Sequence, residues 1–429
     1  MGKLRVFEIV FDNDNDLYRA GDWVQGHVKI ELSEKKTEIR GIEIKYKAKA
    51  KTKWTEEETQ GEGDDEERVE VDYYLKEKYF EEKMLILGKN KKDKSGAKVH
   101  LDAGEHIFPF QFQLPAKPLP HAFEGRFGRI RYKVRAKIDR PGKHDHTVEK
   151  MFSVVGVPID LNNKPEASMP SKSEDEKTVC CLCCATGPIR AEAQTNKSGY
   201  VPGETIWVTG MVENNSTREI SSITAKLIQK LEFKAEREGH GSLHHKVLYI
   251  TLGEARGEGC GENETASFEQ KSIPVPSCPP SDLEGCGIMD IEYYVEFEAD
   301  VSGTPFDLEL KLPITIGTVP LFSAYSAAFP PGDVVTQQPT APHLPPAAYE
   351  VAMGGPQEIP SKSGYDYTFG KMMYAPKYPY YTFPNAGGDL AYPPAADSAY
   401  PPPANPAYPP PANPAYPPPA NPAYPPPAQ

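Results

Sequence analysis

Up to about residue 318 the apolar residues of this chain recur at every second position, and no other feature restricts its fold so severely. Successive side chains of a strand point to opposite faces of a sheet, whereas a helix needs an apolar period near 3.6. In GIEIKYKAKAK, Ile42, Ile44, Tyr46, Ala48 and Ala50 fall on one face, and Glu43, Lys45, Lys47, Lys49 and Lys51 on the other. That is a half-buried strand with one wet face. The pattern returns in FPFQFQLP, where Phe108, Phe110, Phe112 and Leu114 turn inward, and in RIRYKVRAKID, where Ile130, Tyr132, Val134, Ala136 and Ile138 do. It returns again in DIEYYVEFEAD, with Ile291, Tyr293, Val295, Phe297 and Ala299 inward. No long amphipathic helical period competes, so the sequence predicts an all-β chain.

The two halves also repeat one another. YRAGDWVQGHV from Tyr18 parallels YVPGETIWVTGMV from Tyr200, each reading Tyr-x-x-Gly-acid before a strand. Later, Ile-x-Tyr-x-Val occurs at Ile130 and again at Ile291, closed both times by an aspartate. Paired motifs kept in order argue for two immunoglobulin-like β-sandwiches in tandem rather than one large sheet. The expected division is a first sandwich over 1–161, a linker carrying a cysteine cluster over 162–184, a second sandwich over 185–322, and a tail over 323–429. The acidic run Glu56 to Glu67 is expected to be a solvated hairpin loop.

Composition matters most in the tail. Of the 45 prolines in 429 residues, 28 follow Phe329, and with no apolar period there the segment cannot offset its ordering entropy. It is expected to be disordered. The N-terminus shows no secretory signal and no run of 18 apolar residues occurs, while seven cysteines without regular spacing suit a reducing compartment. A cytoplasmic location follows as the expectation. The net charge of −13 argues against nucleic acid as a partner. It is unevenly spread: nearly neutral over 1–157 and roughly −10 over 185–318.

Several stretches in order, KTKWTEE, YFEEKMLILG, FEGRFGRIRYKVRAKIDRP, KTVCCLCC, GPIRAEAQTNKSGYVPGE and KLPITIGTVPL, resemble the α-arrestins, the arrestin domain-containing proteins related to the thioredoxin-interacting protein. The resemblance spans roughly residues 3–322. It implies two arrestin-like sandwiches and a non-enzymatic trafficking adaptor that links transmembrane cargo or receptor tails to ubiquitin-ligase or endocytic machinery, with plasma-membrane and endosome association. In that family, WW domains of HECT-type ligases grip Pro-Pro-x-Tyr motifs in the tail. Here LPPAAYEV sets Pro345 and Pro346 two residues from Tyr349 instead of one, and no strict Pro-Pro-x-Tyr occurs. The resemblance also raises a second role, a redox or metabolic regulator that sequesters a soluble partner such as thioredoxin. Thr265 stands where that role would need a thiol, and Cys260 lies close by.

Three groups of candidate residues result. Tail motifs for a groove-bearing partner are Pro345, Pro346 and Tyr349; Pro376 and Tyr378 in APKY; and the NPAY copies Asn405, Pro406, Tyr408, then Asn413, Pro414, Tyr416, then Asn421, Pro422, Tyr424. Pro-triplets favour polyproline II, which presents side chains at low entropic cost, and a WW groove needs no backbone donors from its ligand. The same repeats would serve equally as a semi-rigid spacer. A second group is cationic: Lys45, Lys47, Lys49 and Lys51 on one strand, Arg129, Arg131, Lys133, Arg135 and Lys137 on another. If those strands are neighbours, the cations form a patch suited to a phosphorylated cargo tail or an anionic headgroup. The third group is Cys180, Cys181, Cys183 and Cys184, candidates for lipidation and peripheral membrane contact, with plain reduced thiols as the other reading. The motifs of catalysis, resident metals and cofactors are missing from the sequence, so no catalytic, metal or cofactor residues are expected.

Overall fold

In the computed structural model the described residues are 4–13, 16–33, 37–60, 66–90, 93, 99–181, 184–239, 241–304, 307–322, 357–359, 372–378 and 380–381. The first half contains β1 (Leu4–Phe11), β2 (Leu17–Arg19), β3 (Trp23–Leu32), β4 (Thr37–Ile39), β5 (Gly41–Gln60), β6 (Glu67–Gly88), β7 (Val99–Leu101), β8 (Gly104–Gln113), β9 (Phe123–Glu124), β10 (Gly128–Asp139) and β11 (His146–Val155). The second contains β12 (Lys172–Cys181), β13 (Cys184–Thr195), β14 (Gly199–Tyr200), β15 (Thr205–Asn214), β16 (Ile220–Arg237), β17 (Leu243–Cys260), β18 (Glu264–Pro274), β19 (Met289–Val301) and β20 (Leu308–Ile316). Two short strands, β21 (Gln357–Ile359) and β22 (Met372–Tyr374), pair in the C-terminal region.

Each half is a sandwich of two sheets. In the first, β1-β3-β8 faces β6-β5-β10-β11-β2; in the second, β12-β13-β15-β18 faces β14-β20-β19-β16, with β17 on β16. The inward residues expected from alternation are buried: Ile42, Ile44, Ala48, Ala50, Tyr132, Val134, Val295 and Phe297 are all fully so. Phe108 is the exception, only partly buried against the core at the start of its run.

The sequence repeat has a physical counterpart in both sandwiches. Tyr132 donates its hydroxyl to the Pro120 carbonyl and Tyr293 donates to the Pro279 carbonyl, both at 2.6 Å and both buried. A buried phenol needs such a partner, and each bond ties a strand to the proline-rich connection that precedes it. The other repeated motif places Tyr18 in parallel pairing beside Val154, and Tyr200 beside Ile316. Its glycines, Gly21 and Gly203, turn at φ of 85° and 98°, which an L side chain rarely adopts.

Beyond Phe108, the structure differs from the sequence reading in three places. Residues 162–184 are more than a linker: two 3-10 turns over Leu161–Asn163 and Pro165–Ser168 lead into β12, an edge strand of the second sandwich paired with β13 from Lys172↔Gln194 onwards. Next, the acidic run is not simply a loop. Strand β5 continues to Gln60, and Glu56 and Glu58 reach the second sandwich, pairing with Lys246 and Arg237 at 2.6 Å each. There β6 hydrogen-bonds to β16 at Tyr74↔Glu236 and Tyr73↔Arg237, so one sheet runs through both sandwiches. Thr52 donates to the Lys234 carbonyl at 2.6 Å across the same joint, and Phe127 meets Phe233 edge-on with centroids 5.9 Å apart. Last, the tail expected to be wholly disordered includes a described segment, 372–378 with 380–381, in which Tyr374 and Tyr378 are buried against the sandwiches.

Candidate anion-binding site

Strands β5 and β10 are antiparallel neighbours, in a register that sets the two cationic rows directly opposite one another. Lys51 faces Arg129, Lys49 faces Arg131, Lys47 faces Lys133 and Lys45 faces Arg135, while Lys137 faces Glu43. Opposed residues on one face lie roughly 4.5–5.5 Å apart, and like charges placed so are destabilising. Four consecutive like-charge pairs therefore work against the sheet that holds them. A surface selected only for solubility would alternate the signs.

Strand β6 extends the rows, because Lys45 also faces Lys83, Lys49 faces Lys78 and Lys51 faces Lys76. Lys76 and Lys78 were not among the residues singled out from sequence. The signal lay in the Lys-x-Lys alternation of LKEKYF, but only strand order shows which face it joins. A β-bulge between Ala48 and Lys49 offsets the pairing there, so that Lys47 meets Glu81 and Lys49 meets Lys78.

Carboxylates neutralise part of this surface. Lys45 pairs with Glu81. Arg131 is held by Glu124, whose second oxygen lies 2.8 Å from Nη2, and Lys133 is held by Glu149 at 2.5 Å, with Arg135 3.9 Å from the same carboxylate. Lys137 lies 3.8 Å from Asp145. Lys47, Lys49, Lys51 and Arg129 have no ion-pair partner among the described residues; Lys51 instead sits 4.9 Å over the Tyr74 ring. Electrostatics follow this division. Desolvation, then the neighbouring Lys47 and Lys51, push the Lys49 ammonium down to about 8 from 10.5. Desolvation and then Lys133 lower Lys47, and desolvation and then Arg131 lower Arg129. Lys133 is lowered too, burial outweighing the Glu149 hydrogen bond. Cationic groups in a row whose charged forms are disfavoured are what an incoming phosphate would stabilise, since a nearby anion favours the charged form.

The remaining candidates fall elsewhere. Cys180 and Cys181 end β12 and Cys184 begins β13, with Cys181 paired opposite Cys184, and Cys183 is outside the described residues. Pro345, Pro346, Tyr349 and the three NPAY copies are likewise outside them. Pro376 and Tyr378 are buried rather than offered to a partner, with Tyr378 donating to the Ala122 carbonyl at 3.0 Å. Cys260 ends β17, where burial first and Glu264 second push its thiol up, and its Sγ lies 3.7 Å from the Glu264 carbonyl. A raised thiol carries less thiolate, the form that redox exchange requires.

Comparison with known protein families matches residues 7–162 to the arrestin (or S-antigen) N-terminal domain and residues 185–321 to the arrestin (or S-antigen) C-terminal domain. Among characterised proteins, the chain is 30% identical over 362 residues to human arrestin domain-containing protein 1, covering 83% of this chain and 75% of that one. It is 32% identical over 328 residues to arrestin domain-containing protein 17 of Caenorhabditis elegans, covering 75% and 72%. With human arrestin domain-containing protein 4 the identity is 27% over 320 residues, covering 74% and 72%.

Proposed function

This chain belongs to the arrestin domain-containing family, a family of generally non-enzymatic adaptors, and on that premise we propose that it carries transmembrane cargo by gripping a phosphorylated cytoplasmic tail along the β5–β10 cationic rows. The observation that carries this reading is the register of like-charge pairs from Lys51↔Arg129 to Lys45↔Arg135, together with the downward shift of Lys47, Lys49 and Arg129, which form no ion pair among the described residues. Phosphate accepts charge-assisted hydrogen bonds from both lysine and arginine, and the rows present donors on three adjacent strands. The face of the second sandwich cannot serve in the same way. There Glu292, Glu296 and Glu298 project from β19, and Lys226 and Lys230 are taken up by Glu298 and Glu292.

The downstream arm belongs in this proposal to the tail, whose NPAY copies would engage WW-domain ligases by repetition rather than by one strict motif. Residence at the plasma membrane and endosome would follow from cargo capture, assisted by lipidation at Cys180, Cys181, Cys183 or Cys184. The thioredoxin-type alternative has less support, because the Cys260 thiol is raised. The test is a titration of the full chain with a multiply phosphorylated peptide and its unphosphorylated twin. Lys47→Gln and Lys49→Gln should each weaken the phosphopeptide by roughly tenfold, about 1.5 kcal/mol for a charged hydrogen bond. Equal binding of the two peptides, or no effect of the substitutions, would remove the proposal. Selective binding to phosphoinositide vesicles instead would redirect it to a membrane.

A further inference from the structure

Burial along β11 breaks the alternation that governs the rest of the sheet. All five residues from Met151 to Val155 are buried, so both faces of the strand are covered at that end. The inner residues Phe152 and Val154 belong to the main core. On the outer face, Met151 clusters with Tyr374 from the tail. The hydroxyl of Ser153, 1% exposed, finds its partners in the same segment: it accepts from the Lys377 N–H at 3.1 Å and lies 3.4 Å from the Tyr374 hydroxyl.

Three tyrosines fix this segment, each donating to a main-chain carbonyl. Tyr374 donates to Phe152 at 3.2 Å, Tyr378 to Ala122 at 3.0 Å, and Tyr381 to Thr318. The first two acceptors belong to the first sandwich and the third follows the last strand of the second. The Tyr381 N–H also donates to the Pro202 carbonyl at 3.0 Å. Gly203 makes that approach feasible, since a Cβ there would overlap the Tyr381 carbonyl oxygen. The same segment thus seats in both sandwiches.

We propose that the crevice formed by Ala122, Phe152, Ser153, Pro202 and Thr318 is a peptide-binding site that reads the spacing Tyr-x-x-x-Tyr-x-x-Tyr, and that its resident ligand is the chain's own residues 372–378 and 380–381. Occupancy withholds the Pro376–Tyr378 motif from any partner and straps the two sandwiches together. Selectivity follows from the chemistry: phenylalanine fills the space but donates nothing to the three carbonyls. Phosphotyrosine loses the donor and brings a charge of about −1.5 to −2 into a buried slot. Once released, a phosphorylated segment could not return.

The test uses the full chain and neither an anionic ligand nor a WW domain, so it can fail independently of the function proposed above. Trypsin cleavage after Lys377 and exchange of the Lys377 and Tyr381 amides are compared between the parent and Tyr374→Ala/Tyr378→Ala/Tyr381→Ala. Both rates should rise at least tenfold in the variant, and the Ser153→Ala chain should show a smaller rise. A triple tyrosine-to-phenylalanine variant, which removes only three hydroxyls, should fall between parent and alanine variant. Equal rates in the parent and the triple alanine variant would overturn the proposal. So would protection that appears only in a concentration-dependent dimer by light scattering, because the crevice would then hold the tail of a second copy.

Discussion

The Lys49 ammonium gives the most direct quantitative test of the cationic surface. Its acidity is pushed to about 8 by desolvation and then by Lys47 and Lys51. At pH 7.4 a group with that value is about one-fifth neutral, against roughly one part in a thousand for an ordinary lysine. A phosphate brought within about 4–6 Å favours the charged form and should raise the value by at least 1 unit. Binding should then take up about 0.2 proton at this site at pH 7.4. The assay follows the lysine Cε–Hε resonances by NMR against pH, with Lys49 identified by its loss in Lys49→Arg, first alone and then with a saturating phosphopeptide. A calorimetric titration in two buffers of different ionisation heat gives the proton count independently. If Lys49 titrates near 10.5 without ligand, the packing of cations on this face is not what the register implies. If added phosphopeptide leaves its value unchanged, the ligand does not bind there.

Two predictions concern the frame that holds the site. The His121 imidazole is buried, accepts at Nδ1 from the Gly156 N–H at 3.0 Å, and is pushed down to about 4 by desolvation. The unfolded chain, titrating near 6.5, then binds the extra proton between these values, so stability is full above about 6.5 and falls as pH drops toward 4, by up to about 3 kcal/mol; urea unfolding at several pH values should show this slope in the parent and its loss in His121→Gln. At the joint between the sandwiches, a Cβ on Gly128 would overlap the Met289 sulfur and the Phe233 ring. Gly128→Val should therefore cost about 1–3 kcal/mol by denaturant unfolding, and an unchanged midpoint would contradict the tight fit.

What could be read directly from the sequence was whatever depends on local periodicity. The alternation of Ile42 to Ala50 and of Ile130 to Ile138 specified strands and assigned each side chain to a face, because the two-residue period of a strand leaves no other arrangement. Two copies of the Tyr-x-x-Gly and Ile-x-Tyr-x-Val motifs likewise specified two sandwiches, and Tyr132 and Tyr293 make the same hydrogen bond in each. The cationic rows were visible too, but only as two separate segments about 80 residues apart. Which strands pair, and in what register, is set by tertiary packing, and that alone turned Lys49 and Arg131 into neighbours and added Lys76 and Lys78. The same limit explains the three differences from expectation. Glu56 and Glu58 look like a solvated run until Lys246 and Arg237 are brought across the joint. Residues 172–181 become a strand only because β13 offers an unpaired edge. Tyr374 and Tyr378 stand in the proline- and tyrosine-rich tail, and their burial depends on Met151 and Ser153 for the first and Ala122 for the second, more than 200 positions away, which sequence order cannot place beside them.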